Sequence, residues 1–177
     1  MAGFHTKTFE VYDDYMTPRT AWKNIKNYIP DDKVIWEAFY GDGKSGTYLE
    51  DMGYNVIHEN IDFFEHDKGE IVISNPPFQY IPQIMERLKE LNKPFILIMP
   101  SSKINTQYFR KLWENTDDPI QIIIPRKRIQ FLKMINGNVD ENQKRCCNFD
   151  CFYYCWKMNL ERDITWLTDD ECSEMKK

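Results

Sequence analysis

No run of apolar residues in this 177-residue chain approaches the roughly 20 that crossing a bilayer requires. Its first ten residues are polar and mixed in charge, with no apolar signal region. The expectation is therefore a protein that has no membrane partner, is not secreted and stays in the cytoplasm. Histidines are few and unpaired, and no Cys-x-x-Cys occurs. Cys147, Cys151 and Cys155 recur every four residues beside Cys146, but without such pairs they do not form a zinc pattern. On a strand Cys151, Tyr153 and Cys155 would instead share one buried face. Five cysteines, an odd number, suit reduced thiols better than a disulfide framework. Repeats, low-complexity tracts and linkers are also missing, so residues 1–177 read as one domain.

An overall excess of positive charge is lacking too. The net charge is −5, which excludes a protein that binds nucleic acid by bulk attraction. The charge is uneven, however. Residues 125–148 hold Arg126, Lys127, Arg128, Lys133, Lys144 and Arg145 against Asp140 and Glu141, a local +4 that leaves −9 elsewhere. A basic strip on an acidic body is a candidate phosphate contact.

Apolar periodicity alternates between the two regular structures. Thr17 and Pro18 open a helical stripe over 17–29 formed by Ala21, Trp22, Ile25, Tyr28 and Ile29. Strands are predicted over 34–39, 54–58, 71–74, 94–99, 120–124 and 149–156. Helices are predicted over 45–52, from Ile81 to Leu91, and over 105–115, with a turn at Asn136-Gly137-Asn138. Strands alternating with helices imply an α/β fold, a mainly parallel sheet covered on both faces.

The most informative residues follow the strand Ile71-Val72-Ile73. Asn75-Pro76-Pro77-Phe78 places an amide, two stiff residues and an aromatic ring at a strand end. The Asn75 amide oxygen and the Pro76 carbonyl can accept the two N–H bonds of an exocyclic amine. Pro76 and Pro77 fix the backbone, and Phe78 offers a stacking face. A second motif runs Glu37-Ala38-Phe39-Tyr40-Gly41-Asp42-Gly43, a strand followed by a glycine turn and a helix, where backbone can approach a ligand. It is not a phosphate loop: in Gly43-Lys44-Ser45 the required earlier glycine is Ala38. After the next strand, Glu59 is placed to take both hydroxyls of a ribose, Asp62 to take an adenine amine, and Phe63 and Phe64 to pack on an adenine face.

With these motifs in this order the chain resembles the S-adenosylmethionine-dependent N6-adenine methyltransferases. It looks most like the small DNA enzymes of phages and large DNA viruses, for which the location would be the interior of a host cell. The likeness rests on Tyr15-Met16-Thr17-Pro18, Phe39 to Gly46, Glu59 to Phe64 and Ser74 to Phe78. Supporting it are the segment Ile124 to Phe131 and the aromatic strand Phe149 to Trp156. A Thr-Pro element ahead of the glycine motif, itself ahead of Asn-Pro-Pro, is similar to the gamma arrangement. The resemblance implies a Rossmann-like methyltransferase sheet, mostly parallel with an antiparallel final strand. Only about 30 residues separate the first strand from the Asn-Pro-Pro strand, about the length of one βαβ unit. One strand and helix of the family sheet are therefore expected to be reduced.

The resemblance further implies S-adenosyl-L-methionine as cofactor. Glu37, Gly41 and Gly43 would surround its methionine part, with Phe39 in the same motif. Tyr15 and Thr17 would close over it, Glu59 would take the ribose, and Asp62 and Phe63 the adenine. Asn75 and Pro76 would hold the target amine and Phe78 would stack on the base, with no metal required. The partner is DNA, or RNA, since an Asn-Pro-Pro-aromatic motif also serves RNA adenine enzymes. The same amide logic serves protein glutamine methyltransferases, where tyrosine is the more usual fourth residue. A catalytically silent binding subunit is the remaining alternative. No large target-recognition module is present, so a homodimer or a partner subunit would supply recognition, or the basic strip alone.

Overall fold

The computed structural model describes residues 15–136, 138–139 and 149–169. Two sheets organise them. The larger has seven strands in the order β10-β6-β9-β5-β4-β2-β3, and the smaller has three in the order β1-β7-β8. In chain order the elements are β1 (Tyr15–Met16), α1 (Arg19–Lys23), β2 (Val34–Trp36), α2 (Lys44–Asp51), β3 (Asn55–Ile57) and β4 (Ile71–Ser74). There follow α3 (Ile81–Glu90), β5 (Phe95–Pro100), α4 (Gln107–Trp113), β6 (Gln121–Ile124), β7 (Leu132–Ile135), β8 (Asn138–Val139), β9 (Cys151–Trp156) and β10 (Ile164–Trp166). In the large sheet only β9 is antiparallel, lying between β5 and β6. The fold is α/β with a mostly parallel mixed sheet.

The period of two in the central strands builds a core on both faces. Ile71 and Ile73 of β4, Ile96 and Ile98 of β5, and Cys151, Tyr153 and Cys155 of β9 meet α1 and α2 through Ala21, Trp22 and Leu49. The alternate residues Val72, Phe95, Leu97, Met99, Tyr154 and Trp156 meet α3 and α4 through Ile84, Met85, Leu88, Phe109 and Trp113. Buried on both faces, these strands read as continuous apolar runs, as parallel strands do. The three-residue alternation expected for Cys151, Tyr153 and Cys155 places them on one face, both thiols buried and in no disulfide. Burial pushes the Cys155 thiol well above its usual range. Cys146 and Cys147 lie outside the described residues. Among the described residues no helix is long and apolar enough to cross a membrane, and no group of three His, Cys, Asp or Glu could hold a metal ion.

Several expectations need correcting. The helix expected over 17–29 divides: α1 ends at Lys23 and a 3-10 turn follows over Lys26–Tyr28. Ile25 and Ile29 remain buried, and the tighter turn lets the Tyr54 hydroxyl donate to the Lys26 carbonyl at 3.1 Å. The antiparallel strand is the expected one, but it is not the last. The tail returns as β10, parallel to β6 at the sheet edge, with Ile164 and Trp166 exposed. Part of the basic strip is strand, not loop: β7 pairs with β1 and with β8. Residues 58–70 connect β3 to β4 without helix or strand. Phe63 docks that connection on the Trp36 face, and the buried Lys93 pins its end through Asp67 at 2.6 Å and the Gly69 carbonyl at 2.7 Å.

The connectivity fixes where a ligand can sit. From β2 the chain crosses one way, through α2 to β3, and then returns past β2 to β4. The order reverses at β2 and β4, so their carboxyl ends open a crevice, the usual binding place in an open α/β sheet.

The wall over that crevice is tied to the sheet by one buried hydrogen bond. The Tyr153 hydroxyl of β9 donates to the Ala21 carbonyl of α1 at 2.6 Å. Tyr153→Phe leaves that carbonyl without its partner and is expected to cost about 1–2 kcal/mol, read as a lower urea midpoint at unchanged m-value.

Candidate active site

The crevice is lined by Tyr15, Met16, Thr17, Glu37, Phe39, Tyr40, Gly41, Asp42, Ser45 and Asn75, and its cavity volume is about 20 Å³. Four parts of the chain meet there. β1 and the residue after it bring Tyr15, Met16 and Thr17. The end of β2 brings Glu37 and Phe39, the glycine turn and the start of α2 bring Tyr40, Gly41, Asp42 and Ser45, and the end of β4 brings Asn75.

Glu37 is the electrostatic centre. The β2 ladder stops at Trp36, and Glu37 follows it into the interior with 1% of its surface exposed. The Ser74 hydroxyl donates to its Oε1, while Oε2 is buried without a partner. Burial raises its pKa to about 8, against the lowering by the Ser74 hydroxyl and the Phe39 N–H, with Asp42 adding to the rise. Among the described residues no cation pairs with it. A carboxyl held neutral in this way carries a proton at pH 7 and is ready to ionise against an incoming cation.

Asn75 lies across the same crevice. Its Nδ2 donates to Thr17 Oγ1 at 2.9 Å, and its Oδ1 is buried with no partner. Two buried oxygens without partners, Glu37 Oε2 and Asn75 Oδ1, therefore line one cleft. Buried polar groups are paired in the great majority of cases, so such a pair of exceptions calls for a reason. A ligand carrying a cation and N–H donors supplies one.

The glycine turn is built for close packing. Gly41 and Gly43 have φ of +56° and +79°, and the Asp42 carboxylate caps α2 by accepting from the Lys44 N–H at 3.0 Å. Gly41 lines the cleft. Gly43 does not: a Cβ there would lie 2.8 Å from the Tyr40 hydroxyl, so its open side is filled by the Tyr40 ring. Gly46 is similar, since a Cβ there would meet the His58 ring at 2.2 Å. That ring stacks on Tyr40 at 6.1 Å and holds Glu50 at 3.2 Å.

The expected adenine and ribose residues stand apart from the cleft walls. Glu59 is exposed just beyond β3. Asp62 accepts from the Phe64 N–H at 2.8 Å within its own turn. Phe63 is 2% exposed and packs on Trp36 at 5.4 Å, Phe39 at 4.9 Å and Phe64 at 5.1 Å, so its ring is core and offers no free face. Pro76 is buried and Pro77 partly so. Phe78 opens a 3-10 turn, half-buried, with its ring edge-on to Phe149 at 5.5 Å. Phe149 in turn faces Phe131 at 6.0 Å.

Of the basic strip, Arg126 reaches Asp169 at 2.9 Å and Arg128 reaches Asp150 at 2.7 Å, both exposed pairs. Lys127 is exposed. Lys133 lies on β7 opposite Tyr15, so the strip adjoins the cleft wall through one strand pairing. Lys144 and Arg145 lie outside the described residues.

The sequence reading missed Met16, Tyr40, Asp42 and Ser45 as cleft residues, and Ser74 as the partner of Glu37. Only Ser74 carried a signal: a hydroxyl at the end of a strand whose other residues are all apolar. Comparison with protein-family models, with curated proteins and with solved structures found no match to this chain.

The raised pKa of Glu37 has a measurable consequence. An unfolded chain releases this proton near 4.5 and the folded one near 8. Between those values the folded state binds more protons, so stability falls as pH rises across that window and levels off above it. Glu37→Gln removes the ionising group, and its melting temperature is expected to fall less from pH 5 to 8 than that of the parent. Parallel curves would refute the burial of this carboxyl.

Proposed function

We propose that the chain is an S-adenosylmethionine-dependent methyltransferase acting on the N6 amine of adenine in DNA, built on a Rossmann-like sheet that has lost one strand and helix. The observation that carries this reading is the buried, unpaired Asn75 Oδ1 at the reversal point of the sheet, beside the unpaired Glu37 Oε2. The mostly parallel sheet with one antiparallel strand is compatible with the fold that the resemblance implies.

The residues fit the cofactor at its cationic end. Glu37 Oε2 would take an ammonium hydrogen on ionising, and Gly41, Phe39 and Thr17 would wall the same end. When bound, the cofactor supplies a methyl group on a positively charged sulfur. Glu59 and Asp62, beyond β3 and off the cleft walls, are the acids that would serve the sugar and base on this reading.

Asn75 acts on the other reactant. The adenine amine is a poor nucleophile because its lone pair is delocalised into the ring. Acceptance of its two N–H bonds by Asn75 Oδ1 and the Pro76 carbonyl favours a pyramidal nitrogen whose lone pair points away from the ring. Pro76 and Pro77 hold those acceptors in direction, and orientation supplies most of the rate. In a duplex the base has to leave the stack, and Phe78, three residues past Asn75, would be the aromatic surface to receive it. Arg126 and Arg128 hold their carboxylates in exposed pairs, which are worth little, so exchanging them for phosphates is cheap. Lys127 and Lys133 extend the same strip toward the cleft.

Asn75→Ala is expected to lower methyl transfer at least about 1,000-fold, the scale of losing a preorganised polar group at a reacting centre, with cofactor affinity retained. Labelled cofactor incubated with DNA, RNA and protein, alongside calorimetry, measures both. Undiminished transfer to DNA would defeat the assignment, and label appearing only in RNA or protein would redirect it. Because Glu37 must lose its proton to hold a cation, binding at pH 7 is also expected to release close to one proton. Calorimetry in two buffers of different ionisation enthalpy reads this directly, and Glu37→Gln should abolish it.

A further inference from the structure

The two ends of the Asn75 amide have opposite chemistry, and only one is used within the protein. Nδ2 donates to Thr17 Oγ1 at 2.9 Å, and Oδ1 is left buried and free. Turning the amide by half a rotation would exchange them and aim two N–H donors at the cleft. Donors cannot receive the N–H bonds of an amine, so the direction of this one side chain decides what the cleft can hold.

Thr17 is well placed to set that direction. It is 6% exposed and 58 positions from Asn75 in sequence. It is also fixed on both sides. Before it, Tyr15 and Met16 are paired with Lys133 and Leu132 of β7. After it, Pro18 begins α1, whose Ala21 carbonyl receives the Tyr153 hydroxyl from the central sheet. The hydroxyl is thus anchored independently of β4 and of the turn that follows Asn75.

We propose that Thr17 is a positioning residue whose hydroxyl holds the Asn75 amide with its oxygen toward the cleft, so that the acceptor is set before the amine arrives. The chemical use of that oxygen rests on the methyltransferase reading, whereas the orientation does not. Losing the hydroxyl frees the amide to turn, and misplacing a group at a reacting centre costs about 100-fold in rate.

The test uses Thr17→Val, which keeps the shape and removes the hydroxyl, and Thr17→Ser, which keeps the hydroxyl. Nitrogen-15 spectra report the Asn75 side-chain amide, assigned by its loss in Asn75→Ala. In the parent and in Thr17→Ser its hydrogens are expected to exchange slowly with solvent, and in Thr17→Val to exchange as fast as a free amide. Transfer kinetics are expected to show kcat about 10- to 100-fold lower in Thr17→Val, restored by Thr17→Ser. Fast exchange in the parent overturns the proposal whether or not the valine variant folds. So does slow exchange in folded Thr17→Val, or a loss of activity carried wholly by cofactor binding. If the amide responds as expected but the parent methylates neither DNA, RNA nor protein, the positioning stands and the methyltransferase reading falls.

Discussion

A carboxylic acid buried without a counter-charge is the constraint on which the rest of the site depends. Glu37 leaves the end of β2 and is enclosed at once, with one oxygen on Ser74 and the other unsatisfied. Burial of an ionisable group is costly, and the group escapes part of that cost by holding its proton. A core selected for stability alone would put an apolar side chain there, as it does at Ile35 and Trp36 just before. Retaining the acid makes sense if something cationic enters the cleft and restores the charge it gave up. The neighbouring amide of Asn75, also short of one partner, extends the same logic from charge to hydrogen bonding.

The positions of these two groups follow from topology. Parallel strands deliver their carboxyl ends to one side of the sheet. A chain that leaves β2 in one direction and returns to β4 in the other leaves a gap between two loops there. Glu37 and Asn75 are the first residues past those two strands. No special loop is needed to bring them together, only the pairing of Ile35 with Ile71 and Trp36 with Val72. The short connection between β3 and β4 does not disturb this, because Phe63 docks it on the sheet.

Much of this was legible in the residue order. The central strands are apolar runs buried on both faces, and α3 shows its stripe of Ile81, Ile84, Met85 and Leu88. The cleft residues Tyr15, Thr17, Glu37, Phe39, Gly41 and Asn75 were all marked by motif. The failures have a common cause, which is pairing at long range. β1 and β7 are two and four residues long and join Tyr15 to Lys133, so neither has a local pattern to detect. β10 is three residues at an edge, with its apolar side chains exposed. Phe63 and Gly43 were misplaced for a different reason. An aromatic ring and a glycine serve packing as readily as binding, and only the positions of Trp36 and Tyr40 decide which.

The small sheet joins the basic strip to the cleft. β7 carries Lys133, and its partner β1 leads directly to Thr17, whose hydroxyl touches the Asn75 amide. On the proposed function, a strand that meets phosphate on one side and holds the neighbour of the amine-binding amide on the other would link two events mechanically. Ordering of β7 by a bound backbone would stiffen β1, and with it the wall that orients the acceptor. On that same reading, the acceptor for the amine would be aimed from the small sheet that also meets the polymer, so the site would be completed most firmly with the polymer bound.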